Sequence, residues 1–421
     1  MNFSNIYITL FIFFLLILIV ENIRFLSIYI KSGTFTPSNL FLLGLFNYDS
    51  SLGYTLKRNF TTKPFWKNSE KKRKNLDGFF SGMGKEITIN ENRHRGKICS
   101  VKKPKDTIRI IMIGASTTFG AHNDDPYTIP QLLEDELNNS YKDRCFEVMN
   151  LGVGGYKFHQ CVRQYLRDFI EYDVDIILTA CCYNDYKYFH SNEKIGRMGL
   201  DAYEKNIKKF YSQSQIKHYM SYFWNKSITR QAIFIFLDRF VLSSLKLKKN
   251  TTTNRAYGDC SINMNYYKTF YTPERFWIKN YIKWYDVLYK EVKKRHPKVK
   301  HAFVGLPVLM SDDKFYKNSE GYTLPESLSI TLMSLRGYDS SKPGLVDYHA
   351  RYLAHTYFFE KFLQNQSKKN HDSDFISLYY SFANIPYKER VKYFVDEVHL
   401  TNTGNKILAN ELSSIIEKKY L

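Results

Sequence analysis

The chain predicts an α/β fold, a parallel sheet with helices on both faces, and three observations lead there. Short apolar runs alternate with longer segments of helical period. The runs are apolar almost throughout, as strands covered on both faces are. The residue types able to do chemistry sit just past the carboxyl ends of those runs, where ligands lie in open α/β sheets.

The elements follow in order. Ile108 to Ile113 (IRIIMI) reads as the first strand, and Tyr127 to Leu137 as a helix through Ile129, Leu132, Leu133 and Leu137. Phe146 to Asn150 is a second strand, Lys157 to Ile170 a second helix, and Val174 to Cys182 (VDIILTACC) a third, strongly apolar strand. After a gap, Trp277 to Lys294 has the spacing of an amphipathic helix with a basic face, and His301 to Pro307 (HAFVGLP) that of a strand ending at a turn. Tyr348 to Gln364 reads as helix, Asp374 to Leu378 as a short strand and Asn405 to Lys418 as a closing helix. The stretch of about 189–274 interrupts this alternation as an insertion rich in Tyr, Phe, Lys and Asn, with a helical middle around Gln231 to Leu247.

Ahead of the alternating region lie two other segments. Met1 to Val20 carries no charge, and Ile6 to Val20 (IYITLFIFFLLILIV) has the length and apolarity of a membrane-spanning helix once its polar start is included. Glu21-Asn22-Ile23-Arg24 follows directly, with no small-residue cleavage site, so residues 1–31 are expected to be an uncleaved anchor holding the membrane through residues 5–20. Arg24 and Lys31 follow the span, and the positive-inside rule read strictly would leave the chain in the cytoplasm. Long domains translocate largely regardless of charge, and we favour an extracytoplasmic domain on a single span. Residues 32–105, including Lys71-Lys72-Arg73-Lys74, show little periodicity and are expected to be a linker and irregular lead-in to a domain over residues 106–421.

Composition narrows the partners. With 44% hydrophobic and 17% aromatic residues the 421-residue chain can bury a large core, which argues against disorder. The net charge of +20, from 61 Lys and Arg against 41 Asp and Glu, favours an anionic partner such as an acidic glycan or lipid head group. Nucleic acid is disfavoured, because no binding motif for it is recognisable. The six cysteines, Cys99, Cys145, Cys161, Cys181, Cys182 and Cys260, are too few for a disulfide framework and form no paired Cys-x-x-Cys pattern, so no metal and no cofactor are assigned. Cys181 and Cys182 end an apolar run, which suits a buried thiol.

Four segments offer complementary chemistry: Gly114-Ala115-Ser116, Asn150 to Gly155 (NLGVGG), Tyr183-Asn184-Asp185 and Asp396-Glu397-Val398-His399. Nucleophilic acyl chemistry needs an activated hydroxyl, a base, a carboxylate to orient the base, and donors for a developing oxyanion. Ser116 follows the first strand on a strand-to-helix turn, where a hydroxyl is exposed; the same turn commonly uses Ser as a helix cap. Gly155 brings an unobstructed backbone N–H past the second strand, and Asn184 a side-chain amide past the third; a turn glycine and an Asx turn would look alike. Asp396 and His399, three apart, fit one tight turn in which the carboxylate holds the imidazole tautomer. Thr117 and Thr118 are alternative hydroxyl partners for His399.

On these residues the chain resembles the SGNH hydrolases, the GDSL-type esterases and lipases. The resemblance runs from about Ile108 to Ile416 and is most specific in IMIGASTTFG (Ile111 to Gly120) with Tyr127 to Pro130, and in FVDEVHLTNTGNKILA (Phe394 to Ala409). It implies a three-layer doubly wound, flavodoxin-like parallel sheet. It also implies a catalytic Ser116, His399 and Asp396, with an oxyanion hole from Ser116, Gly155 and Asn184. Two positions depart from the family pattern: Ala115 stands where Gly-Asp-Ser has its aspartate, and Cys182-Tyr183 precede Asn184 where a glycine is frequent. Neither removes a group that does chemistry. The expected activity is that of a serine esterase or O-acyltransferase on acyl, chiefly acetyl, esters of envelope carbohydrate. Lipid esters are the second substrate class, and a non-catalytic glycan-binding protein on the same fold is the alternative.

Overall fold

The computed structural model describes residues 7–9, 12, 15–17, 19–23, 45–61, 86–180, 184–185, 229, 275–309, 345–369, 373–396 and 398–421. The insertion of about 189–274, apart from Thr229, lies outside them, as do Cys181, Cys182 and Cys260. Ahead of the main sheet run four short strands: β1 (Phe46–Asp49) and β2 (Gly53–Leu56), an antiparallel hairpin, then β3 (Phe60–Thr61) and β4 (Thr88–Ile89), a second antiparallel pair.

The alternating region then unfolds much as the apolar pattern requires. Strand β5 (Thr107–Gly114) leads through the one-turn helix α1 (Ser116–Phe119) to α2 (Ile129–Ser140) and back along β6 (Cys145–Gly152). Helix α3 (Phe158–Gln164), continued by a π turn at Tyr165–Phe169, returns the chain to β7 (Ile176–Ala180). After the insertion come α4 (Phe276–Arg295), β8 (Lys300–Gly305), α5 (Leu345–Lys369), β9 (Ser373–Ser377), the short α6 (Tyr387–Arg390) and the closing α7 (Asn402–Tyr420).

The five longer strands form one parallel sheet in the order β6-β5-β7-β8-β9. Numbered along this sheet alone, the order is 2-1-3-4-5, one of the two common doubly wound arrangements. The crossovers β5–α2–β6 and β6–α3–β7 step in opposite directions, so connections of one hand put their helices on opposite faces. Contacts agree: α2 packs on β6 and α7, α3 on β5 and α4, and α5 on β8 and β9. Covered on both sides, Ile110 to Ile113, Ile176 to Leu178 and Ala302 to Val304 are almost wholly removed from solvent. Thr128 caps α2, its hydroxyl accepting from Gln131 N, and Thr401 caps α7 by accepting from Gly404 N.

Two expectations about the leading residues meet the structure differently. The described part of the predicted linker and lead-in, residues 45–61 and 86–105, is not irregular: it forms β1 to β4 and contributes Leu45, Phe46, Leu52, Tyr54, Leu56, Ile87, Ile89 and Cys99 to the core. Strands of two to four residues are too short for a period of two to show in the sequence, and contacts of the lead-in outside these strands reach far along the chain. Arg95, for example, bridges to Asn150 on the outer strand β6 and covers that edge. Of the expected anchor, the described residues are helical, and Tyr7, Ile8, Ile12, Leu15, Leu16, Ile19, Val20 and Ile23 are exposed. Among the described residues, no helix is long and apolar enough to cross a membrane.

Candidate active site

Parallel register brings the site's segments to one level. Gly114 pairs with Gly152 across β5 and β6 and with Ala180 across β5 and β7, so three strands end side by side. The loops that follow carry Ser116, Gly155 and Asn184. Gly152 permits the close approach of α1: a Cβ there would meet Phe119 N at 2.2 Å.

Ser116 opens α1, whose N-cap, Ala115, supplies no side-chain cap. Its Oγ lies 2.8 Å from His399 Nε2, and His399 Nδ1 lies 2.7 Å from Asp396 Oδ2. The two loops so joined are 283 residues apart in sequence. Asp396 Oδ1 accepts the backbone N–H groups of Val398 at 2.9 Å and His399 at 2.8 Å, which fixes the carboxylate on the turn that carries the imidazole. Burial pushes the Asp396 carboxyl up, but hydrogen bonding to His399, its charge and the two amides outweigh that and hold it well below the usual carboxylate range. It is therefore ionised and accepts the Nδ1–H, leaving Nε2 to accept from Ser116. Thr117 and Thr118 are buried, and Thr118 Oγ1 packs where a Cβ on Gly114 would lie, so Ser116 is the hydroxyl that meets His399.

The second half of the site is assembled around the loop after β6. Gly155 has φ +80°, and a Cβ on it would stand 2.8 Å from the Tyr54 hydroxyl. That hydroxyl donates to Gly154 O at 2.8 Å, while the Tyr156 hydroxyl donates back to Tyr54 O. Gln160 Nε2 donates to Leu52 O at 2.7 Å. Asn184 Nδ2 donates to Tyr156 O at 3.0 Å, placing the amide against the residue that follows Gly155. Beside it, the buried Asp185 carboxylate accepts from Phe158 N at 3.1 Å. Burial raises its pKa to about 6, against the opposing influence of His159, the Phe158 amide and Lys157.

Several residues that hold this arrangement have no sequence signal. Arg95, with a side chain 1% exposed, pairs with Asp125 at 2.7 Å and donates to the carbonyls of Phe119 (2.7 Å), Gly120 (2.6 Å), Asn123 (2.7 Å) and Glu86 (3.2 Å). One guanidinium thus pins the whole loop beyond the serine. Asn123 Nδ2 then donates to Leu400 O at 3.1 Å and Asn402 Oδ1 at 3.0 Å, tying that loop to the one bearing His399. Asn405 Nδ2 makes a third tie, to Tyr127 O at 2.8 Å. Arg95 sits in a polar stretch, NENRHRG, that reads only as loop. His122, between the pinned carbonyls, stands edge-to-face with His399 at 4.7 Å between ring centroids. With Asp396 and His399 it forms the one group among the described residues that has the donors and spacing to hold a metal ion.

No protein-family model matches the chain, and no curated protein matches it. Solved structures similar to it include the acetyl xylan esterase AlAXEase, 12% identical over 73% of this chain and 100% of that one, with a TM-score of 0.34. A mutant of Axe2, an acetyl-xylooligosaccharide esterase from Geobacillus Stearmophilus, is 12% identical over 76% and 98% of the two chains, with a TM-score of 0.37. The lipase/acylhydrolase from Enterococcus faecalis is 10% identical over 74% and 96%, with a TM-score of 0.34. Likeness this distant assigns no activity, which has to come from the geometry of the site itself.

Proposed function

We propose that the protein is a serine esterase or O-acyltransferase that works through an acyl-enzyme on Ser116. The observation that carries this reading is the hydrogen-bonded chain from Ser116 Oγ through His399 to Asp396, at 2.8 and 2.7 Å. His399 Nε2 takes the proton as Ser116 Oγ attacks the ester carbonyl; the imidazolium so formed is stabilised by the Asp396 carboxylate and returns the proton to the departing alkoxide. The oxyanion is received by the N–H groups of Ser116 and Gly155 and by Asn184. An amide nitrogen has two N–H bonds, and the one that reaches Tyr156 O aims the other. Water or a sugar hydroxyl then takes the acyl group from the serine.

For the substrate we favour acetyl esters of envelope carbohydrate, with lipid esters second. A net charge of +20 suits a polyanionic polymer, and the apolar first segment, most of whose described side chains are exposed, suits a chain tethered beside the membrane on which that polymer lies. The test uses the full chain in detergent with purified acetylated envelope polymer. Acetate release, or transfer to an added acceptor, is expected, together with fluorophosphonate labelling that disappears in Ser116→Ala and falls by several orders of magnitude in His399→Ala. A serine that does not label in the wild-type chain would sink the enzymatic reading and leave a binding protein.

A further inference from the structure

His122 adds a second imidazole to the Asp396–His399 pair. Its Nε2 lies 3.9 Å from Asp396 Oδ2, the same oxygen that meets His399 Nδ1 at 2.7 Å. One ligand atom from each of His122, Asp396 and His399 can be chosen so that all lie within 4.8 Å of one another. The three side chains are 19%, 28% and 17% exposed, so solvent reaches them. Two imidazoles and a carboxylate form a donor set of the kind zinc takes at sites that keep a fourth position open.

The cluster is also braced. Asp396 Oδ1 is occupied by the amides of Val398 and His399, which turns Oδ2 toward both imidazoles. His122 lies between Gly120 and Asn123, whose carbonyls Arg95 holds, and Asn123 is bonded across to Leu400 O. An ion about 2.0–2.2 Å from each ligand spans pairs up to about 4 Å apart, which admits the His122–Asp396 separation; the His399–Asp396 separation opens by roughly half an ångström as the proton between them is replaced.

We propose that His122, Asp396 and His399 bind one divalent transition-metal ion of the zinc type, and that the bound ion switches Ser116 off. The ion bonds to His399 Nδ1, and the proton of that nitrogen passes through water to Nε2. No proton is lost overall, and solvent fills the fourth position on the ion. The nitrogen facing Ser116 is then an N–H donor and can no longer take the serine proton. Metal binding stands independently of the esterase reading; the switching step rests on it.

Calorimetric titration of zinc into the full chain carrying Ser116→Ala tests the site without needing turnover. One zinc per chain is expected, with affinity lowered at least about tenfold by adding His122→Asn or His122→Gln. Thermal unfolding checks that these variants fold. Cobalt(II) in place of zinc should give the visible absorption of a tetrahedral centre, and magnesium, which prefers six oxygens, should give no heat. Absence of zinc uptake, or uptake that neither substitution at His122 weakens, overturns the site. In the chain with Ser116 intact, zinc should block fluorophosphonate labelling and a chelator restore it, while His122→Asn keeps labelling at the same zinc concentration. Zinc uptake that leaves wild-type labelling untouched overturns the switch. If Ser116 never labels, the esterase reading fails, the switch falls with it, and the calorimetry alone decides the metal site.

Discussion

The loop after β5 and the loop after β6 leave neighbouring strands at one level, yet they are fastened by different chemistry. Beyond Ser116 the chain is held by the buried Arg95, whose guanidinium collects the loop carbonyls of Phe119, Gly120 and Asn123 and the Asp125 carboxylate. Around Gly155 it is held by the hydroxyls of Tyr54 and Tyr156 and by a carboxyl, Asp185, whose pKa burial raises to about 6. The first loop positions the Ser116 hydroxyl against His399, 283 residues away in sequence, under a buried guanidinium clamp. The second positions amide donors, and its supports are neutral or titrate near physiological pH.

The largest expected effect is therefore at the clamp. Arg95→Met keeps much of the apolar volume but takes the guanidinium from Asp125 and from the carbonyls of Phe119, Gly120 and Asn123, of which Gly120 O keeps the Asn123 N–H. Removing one member of a buried charge pair costs on the order of 3–5 kcal/mol, to be read from urea unfolding, and Ser116 labelling should fall with it. If Arg95→Met proves no more costly than Tyr54→Phe, which loses one hydroxyl bond at about 1 kcal/mol, the contrast between the two loops disappears.

At the oxyanion side the leading effect is on turnover. Asn184→Ala should lower kcat by about 10²–10³, with little change in KM, because the donor is needed where negative charge develops. Its structural bond to Tyr156 O contributes only about 1 kcal/mol to stability. An unfolding loss much above that with kcat retained would make Asn184 a structural clip and leave Gly155 and Ser116 to receive the oxyanion.

How legible this was in the sequence differs between the residues proposed to react and those that hold them. The inner strands of the parallel sheet announce themselves, because strands such as Ile110 to Ile113 are buried on both faces and read as continuous apolar runs. Ser116, Gly155, Asn184 and the Asp396–His399 pair stand at strand ends and at a spacing of three, and the resemblance to the SGNH hydrolases implies their roles. Arg95, Asn123 and Tyr54 carry no such signal. Their partners are backbone carbonyls, which carry no side-chain identity, and Tyr54 and Arg95 stand in four-residue strands and loops too short to show a period. The lead-in looks irregular for the same reason, although it forms part of the core.

The carboxyl at Asp185 makes the second loop the pH-sensitive one. Its folded pKa, near 6, lies above the ordinary value, so between about pH 4 and 6 the folded state binds more protons than the unfolded one. Stability from this group falls as pH rises through that range, and the cost, about 3 kcal/mol at most, is fully present above pH 6. His94 and His301 act in the opposite sense. Burial lowers each to about 4, so their neutral forms contribute stability above pH 6.5 that is lost as pH falls toward 4. Asp185→Asn removes the opposing influence: relative to wild type it should gain stability at pH 7, gain little at pH 4, and show a steeper rise between. Urea unfolding at pH 4.5 and pH 7 measures this, and equal slopes for the two chains would refute it.

Smaller again, and specific to the turn, is Gly155→Ala. At φ +80° a side chain is strained, and its Cβ would stand 2.8 Å from the Tyr54 hydroxyl, so the substitution should cost about 1–3 kcal/mol. The two causes can be separated. Tyr54→Phe removes the oxygen that crowds the new Cβ but leaves the backbone angle as it is, so Gly155→Ala should cost less in that background if contact dominates and the same if backbone strain does. A double-mutant cycle on unfolding free energy, with an interaction energy above about 0.5 kcal/mol, would assign the cost to the contact and make the β1–β2 hairpin a direct support of the oxyanion loop. A null cycle, with the full cost retained in both backgrounds, would place the constraint in the turn itself.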